Sequence, residues 1–507
     1  KRDDGFQEIE LKNQVSFFSV ELEIGTPRQN VTVLVDTGSS DLWVTGANNP
    51  YCRAGSVGSR RNDASSVSGS GSVSGSGSGS SNNKKRVNIK RDEISSVRSW
   101  LTASGTNTRT QSGSASATRA NSLSSALATI DCSQYGTFNT SASSTFSSND
   151  TLFVIFYGDS SYAYGTWGQD ELYLHDIDIG GLSFAVANQT NSTVGVLGIG
   201  LPGLEVTYSG YASSARSRYQ YDNFPLILKR NNVIKANAYS LFLNSTNSSS
   251  GSLLFGAVDH SKYSGQLYTV PLLNTLESSG YTDPIQFEVA VQGIGVRTSG
   301  SNTTLTTTVI PALLDSGATL SYFPVQVAEM IADALDATYS SSYGYYIVDC
   351  PSSDDDTEII YDFGGFHIAS KLTDYILTTN RPSTCVLGIV PQNSNRFILG
   401  DVFLTSAYVV YDLDNFEISL AQANYEGGDE QIEVISESVP SAIKAPSYSS
   451  TRFSSASAST GGDIFTVTGS NTTTSSAPRT SIGSQVSPST YIIIAGFLLA
   501  SLSAFLL

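Results

Sequence analysis

One repeat constrains this chain more than anything else in it. Val33-Leu34-Val35-Asp36-Thr37-Gly38-Ser39-Ser40-Asp41-Leu42-Trp43-Val44 is an apolar, β-branched run that ends in a carboxylate, a hydroxyl and a glycine. Val309-Ile310-Pro311-Ala312-Leu313-Leu314-Asp315-Ser316-Gly317-Ala318-Thr319-Leu320 repeats that order. Each copy reads as a buried strand that carries an acid into an apolar interior. That is costly unless the acid is hydrogen-bonded and used, so each copy points to a site. A lone Asp-Thr-Gly string also serves ordinary turns. The second copy decides between the two.

A second pair of motifs tests the duplication. Val194-Gly195-Val196-Leu197-Gly198-Ile199-Gly200 is echoed by Phe397-Ile398-Leu399-Gly400-Asp401. Asp315 precedes Leu399 by 84 positions and Asp36 precedes Leu197 by 161; leaving out the 79 residues between Cys52 and Cys132 brings the second spacing to 82. Two halves built on one plan follow, the first carrying an insert. Both are rich in strand patterns. Gly25-Thr26-Pro27-Arg28-Gln29 is a turn between two strands, which puts Asp36 at the end of the second. Thr151 to Gly165 reads as a hairpin around a Gly-Asp-Ser turn. Strands are expected at Tyr239 to Leu243, Gly251 to Phe255 and Ala407 to Asp412. A helix is expected over Gln326 to Leu335, with Val327, Met330, Ile331, Ala334 and Leu335 on one face.

The net charge of −17 leaves no basic stripe for phosphates, so nucleic acid is excluded as a partner. The negative charge suits an acidic milieu or a cationic substrate, and solubility alone accounts for part of it. The four cysteines, Cys52, Cys132, Cys350 and Cys385, form no CxxC pair, and the three histidines are scattered, so disulfides are expected and no metal. Four cysteines allow three pairings; Cys52 with Cys132 and Cys350 with Cys385 is favoured because each pair then lies within one half. Sequons at Asn139, Asn149, Asn188, Asn191, Asn244, Asn247 and Asn302 point to the secretory route. The dibasic opening Lys1-Arg2 reads as a form trimmed of a leader and pro-segment.

From about Ser56 to Ala128 the chain is dominated by Ser, Gly, Asn and Arg. Such a segment is expected to be a flexible loop. Its Arg60-Arg61, Lys84-Lys85-Arg86 and Lys90-Arg91 read either as a solvated basic surface or as processing sites. Cleavage there would leave two chains joined by a Cys52–Cys132 bridge. Past about Glu426 the strand pattern stops, and residues 440–490 are rich in Ser, Thr, Ala and Pro, as in an O-glycosylated stalk. The final run, Tyr491 to Leu507, is apolar with no basic residue after it. With the small residues Ser475-Ser476-Ala477 and a polar spacer, it fits a GPI attachment signal better than a tail anchor.

Two carboxylates at the junction of two similar halves cannot both ionise cheaply, so one keeps a proton and the pair titrates as a unit. The ionised partner can take a proton from a water between them while the other polarises a peptide carbonyl. No cofactor, metal or covalent nucleophile is needed. The motifs Asp36-Thr37-Gly38-Ser39 and Asp315-Ser316-Gly317-Ala318, the Tyr157-Gly158 hairpin and the two apolar-apolar-Gly repeats together resemble a pepsin-type aspartic protease over roughly residues 14–424. The insert, stalk and tail resemble fungal yapsins and surface-anchored secreted aspartic proteases of yeasts.

That resemblance implies a mainly β, bilobal pepsin-like fold with pseudo-twofold symmetry and a central cleft. The lobes would be residues 13–238, with a 53–131 insert, and 239–426, followed by a stalk over 427–490 and an anchor signal over 491–507. It implies Asp36 and Asp315 as the catalytic pair, supported by Thr37, Gly38, Ser39, Ser316 and Gly317. Tyr157 would be the flap tyrosine and Trp43 its hydrogen-bond partner, with Gly158, Asp159 and Thr319 also at the substrate. The protein would be a monomer on the extracellular face of the plasma membrane or in the cell wall, held by a GPI anchor and cutting protein and peptide substrates after Lys or Arg. A broad-specificity protease and an inactive wall-anchored structural or adhesive protein are the alternatives. Two features depart from the pattern: Ala318 stands where Ser39 stands in the first half, and Asp159 places an acid at the flap tip.

Overall fold

The computed structural model describes residues 5–53, 129–174, 177–210, 218–379, 383–450 and 463–465. Alternation builds the first strands. In Phe18–Ile24 the side chains of Val20, Leu22 and Ile24 are buried, and in Gln29–Asp36 those of Val31, Val33 and Val35. The two strands pair antiparallel from Ser19↔Leu34 to Ile24↔Gln29, so one face of the hairpin enters the core and Asp36 falls at its end. The hairpin and turn therefore lie where the sequence places them.

The duplication is visible as pairing. Strand Gly195–Gly198 lies parallel to Gln29–Asp36, with Gly198 opposite Asp36, and antiparallel to Leu42–Thr45. Strand Phe397–Leu399 lies parallel to Ile310–Leu314, with Leu399 opposite Leu314, and antiparallel to Ser321–Pro324. Each apolar-apolar-Gly motif is thus the strand inserted beside its acid motif. The N-terminal strand Gln7–Asn13 joins the halves, pairing with Ser250–Phe255 along one edge and meeting Phe18 and Ser19 on the other. The mainly β architecture of two similar halves expected from the motifs is the architecture observed.

Helix is sparse. Val325–Ala334 is the helix expected there, but its buried residues are Val327, Ala328, Ile331 and Ala332, whereas Ala334 is exposed. The buried stripe is turned toward the small alanines, which let the helix approach the sheet. The disulfides are Cys52–Cys132 and Cys350–Cys385, with Cα separations of 5.4 and 5.0 Å. Arg53 N–H donates to the Ile130 carbonyl at 3.0 Å beside the first bridge, so the two ends of the long insert leave the body together. Nearly all of the insert, and the apolar tail, lie outside the described residues. Beyond Glu426, where the sequence reading ends the strands, Ile432–Val434 and Ala442–Lys444 still pair with the body; each is only three residues long, too short for its alternation to stand out in the sequence.

Candidate active site

Asp36 closes its strand and Asp315 follows Ile310–Leu314 by one residue; both are fully buried. Their neighbours bring them together. Ser316 N–H donates to Thr37 Oγ1 at 2.9 Å, and that hydroxyl donates to the Leu314 carbonyl at 2.9 Å. In return Thr37 N–H donates to Ser316 Oγ at 3.1 Å, and Ser316 Oγ donates to the Val35 carbonyl at 2.9 Å. Two buried hydroxyls each accept and donate across the junction, so neither is orphaned. Gly38 lies against the opposite acid: a Cβ there would stand 2.6–2.7 Å from the Asp315 carboxylate atoms. Only glycine allows that approach.

The pair is asymmetric. Asp36 Oδ1 accepts from Gly38 N–H at 2.7 Å, and its Oδ2 accepts from the Ser39 hydroxyl. Asp315 Oδ1 accepts from Gly317 N–H at 2.9 Å, while its Oδ2 is buried and receives no N–H or hydroxyl donor, its carboxyl meeting that of Asp36. Ala318 supplies no hydroxyl where Ser39 supplies one. Burial raises the pKa of both acids; for Asp36, Ser39 and Gly38 oppose the rise. Burial and then the negative charge of Asp36 hold Asp315 well above the usual carboxylate range. The geometry therefore favours one ionised acid, Asp36, beside one that keeps its proton.

The hairpin that carries Tyr157 is built from Ser147–Phe156 and Tyr162–Gln169. Tyr157 is buried at its turn, and Trp43 Nε1 donates to the Tyr157 hydroxyl at 2.6 Å. Burial and then Asp36 push that phenol well up, so it stays neutral and keeps its own proton to donate. Gly158 and Asp159 are exposed, and Asp159 Oδ1 accepts from Ser161 N–H at 2.7 Å, an ordinary turn contact. Burial raises Tyr322 to about 12, with the charges of Tyr345, Asp159 and Asp315 adding to the rise. Thr319 donates its hydroxyl to the Ser16 carbonyl.

Three further buried acids surround the site, and the motifs alone assign them no role. Asp401 N–H donates to the Ala318 carbonyl at 2.8 Å, and Asp401 Oδ1 has no hydrogen-bond partner. Burial, then the charges of Asp315 and Asp36, push it well up. Its signal was an acid following the apolar-apolar-Gly motif in the second half only, where the first half has Ile199. Asp41 and Glu205 are the other two. Tyr221 links them: its hydroxyl donates to Asp41 Oδ1 at 2.8 Å and its N–H to Glu205 Oε2 at 2.9 Å. Val206 N–H donates to Asp41 Oδ2 at 3.0 Å, and Glu205 Oε1 is buried and unpaired. Burial raises Asp41 to about 7 and Glu205 to about 9, the second helped by the charge of Asp41. Nothing in the sequence brings Glu205 and Tyr221 to Asp41, since long loops make that contact.

A family model described as eukaryotic aspartyl protease matches residues 17–423. Aspartic proteinase 3 of Saccharomyces cerevisiae is 53% identical, covering 97% of this chain and 86% of its own length. Aspartic proteinase yapsin-3 of the same organism is 48% identical over 92% of this chain and 78% of its own. The crystal structure of aspartic proteinase from Irpex lacteus aligns with a TM-score of 0.54 at 19% identity, covering 83% of this chain and 98% of that one, a likeness of fold.

Proposed function

The chain belongs to the eukaryotic aspartyl proteases and is an aspartic endopeptidase, and we propose that Asp36 and Asp315 are its catalytic pair. The observation that carries this reading is the asymmetric support of two buried acids held together by the Thr37–Ser316 lattice. Asp36, with two donors, is the general base that takes a proton from water; Asp315 holds the proton that polarises the scissile carbonyl. The water adds to the carbonyl carbon to give a tetrahedral diol, and the proton passed to the leaving amine completes hydrolysis. Tyr157, fixed by Trp43, closes over the substrate. The test is a peptide-library digest across pH, with and without pepstatin, on the wild type and Asp36→Asn. Pepstatin-sensitive cleavage that vanishes in the variant is expected; cleavage that persists in Asp36→Asn overturns the assignment.

The proposal extends to substrates cut after Lys or Arg at the cell surface. An acid at the exposed flap tip supports the preference. Asp159→Ser should lower the ratio of cleavage after Lys/Arg to cleavage after Leu/Phe; an unchanged ratio means Asp159 does not read the substrate, and broad specificity becomes the better reading. The GPI-type tail and stalk composition support surface attachment, by membrane or wall, and exposed sequons such as Asn139, Asn188 and Asn302 support passage through the secretory route. Cleavage at the basic pairs of the insert would leave two chains held by Cys52–Cys132. That product separates on a gel only after reduction.

A further inference from the structure

Downstream of Ala423 the chain does not leave the body at once. Gln431 N–H donates to Asp259 Oδ1 and Ile435 N–H to the Gly256 carbonyl, at 3.0 and 2.8 Å. Ile435 and Val439 enter an apolar cluster with Val258, Leu267 and Tyr408. Ala442–Lys444 then lies parallel to Tyr263–Pro271, and Ser447 N–H reaches the Gly364 carbonyl at 2.9 Å. These contacts step across the back of the second half toward the sheet that contains Gly293–Thr298.

That sheet receives three more residues. Asp463-Ile464-Phe465 lies on Gly293–Thr298 and its partner strand Ser301–Thr306. A Cβ on Gly293 would run into the Ile464 side chain, and one on Gly295 would stand 2.7 Å from the Phe465 ring. The two glycines therefore open the space that the two apolar side chains fill, and Ile464 is only 9% exposed. The polar contacts are equally specific. Thr304 Oγ1 accepts from Ile464 N–H at 3.1 Å and donates to Asp463 Oδ1 at 3.0 Å, and Asp463 Oδ1 also accepts from Phe465 N–H at 3.0 Å. The Arg297 guanidinium lies 5.9 Å from the centre of the Phe465 ring, and His367 meets that ring edge-on.

We propose that the groove at Gly293, Gly295 and Thr304 is a peptide-docking site whose occupant is this chain's own Asp463-Ile464-Phe465. Its role is to pin the stalk-side chain to this face of the catalytic body. The docking does not depend on whether the tail is anchored.

The test is hydrogen–deuterium exchange on the soluble full chain, wild type against Ile464→Asp/Phe465→Ala. At least tenfold slower exchange at 464–465 in the wild type, lost in the variant, is expected, together with faster exchange in the Ser301–Thr306 strand and unchanged peptide hydrolysis. A synthetic peptide of residues 460–468 should restore protection of that strand in the variant. Gly295→Val, which fills the groove from the other side, should release 464–465 as the double variant does. If 464–465 exchange as fast in the wild type as in the variant, or if the peptide restores nothing, the docking site is refuted. Neither result bears on surface attachment, because no anchored protein is used.

Discussion

At the scale of the residue, the acid pair differs in one hydroxyl. Ser39 donates to Asp36, and Ala318, buried at the matching place, donates nothing to Asp315. With Asp36 ionised and Asp315 holding the proton, a new donor to the Asp315 anion stabilises the doubly ionised pair and lowers mainly the upper apparent pKa. Ala318→Thr should therefore move the alkaline limb of the pH–rate profile to lower pH; an unmoved profile refutes this account of the asymmetry. Gly38 offers a second test. Its missing Cβ would fall within 2.7 Å of the Asp315 carboxylate, so Gly38→Ala must displace one acid from the other. A loss in kcat on the order of a hundredfold is expected, with the fold retained by circular dichroism. Retained kcat would mean that the close approach is not used in catalysis.

At the scale of the element, the flap depends on a contact between two distant parts of the first half. Trp43 leaves the acid motif along Leu42–Thr45, and Tyr157 sits in the hairpin turn 114 positions later. A buried hydrogen bond between neutral groups contributes about 1 kcal/mol, so Trp43→Phe should lower kcat/KM about fivefold to tenfold. Tyr157→Phe should cost no less, and the double variant should fall short of the product of the two, because both lose the same bond. Full multiplicativity would show that the residues act separately. The hairpin, the turn before Gln29 and the repeated strands were legible because each is specified by local alternation and turn chemistry. The Asp41–Tyr221–Glu205 contact was not, because Asp41 meets Tyr221 across 180 positions and only the folded loops decide it. The two-glycine groove was equally hidden, because Gly293 and Gly295 meet Ile464 and Phe465 only across about 170 positions of chain.

At the scale of the whole molecule, buried acids tie the fold to low pH. Asp36, Asp315, Asp401, Asp41 and Glu205 all have pKa values raised in the fold, first by burial. A carboxyl raised above its unfolded value binds its proton more tightly when folded, so its stabilising contribution is complete below the unfolded pKa and is lost as pH rises through the folded one. For Glu205 that window runs from about 4.5 to about 9, and for Asp41 from 3.8 to about 7. The net charge of −17 adds self-repulsion in the same direction. Glu205 is the cleanest group to test, because it lies outside the proposed acid pair and Gln keeps an acceptor for the Tyr221 N–H. The wild-type melting temperature should fall between pH 5 and pH 9. That of Glu205→Gln should fall less, the gap between them widening by at least about 3 °C over that range. Differential scanning calorimetry at four pH values reads both curves. Parallel curves would refute Glu205 as a source of the alkaline instability and leave the fall to Asp41, the acid pair and the general charge.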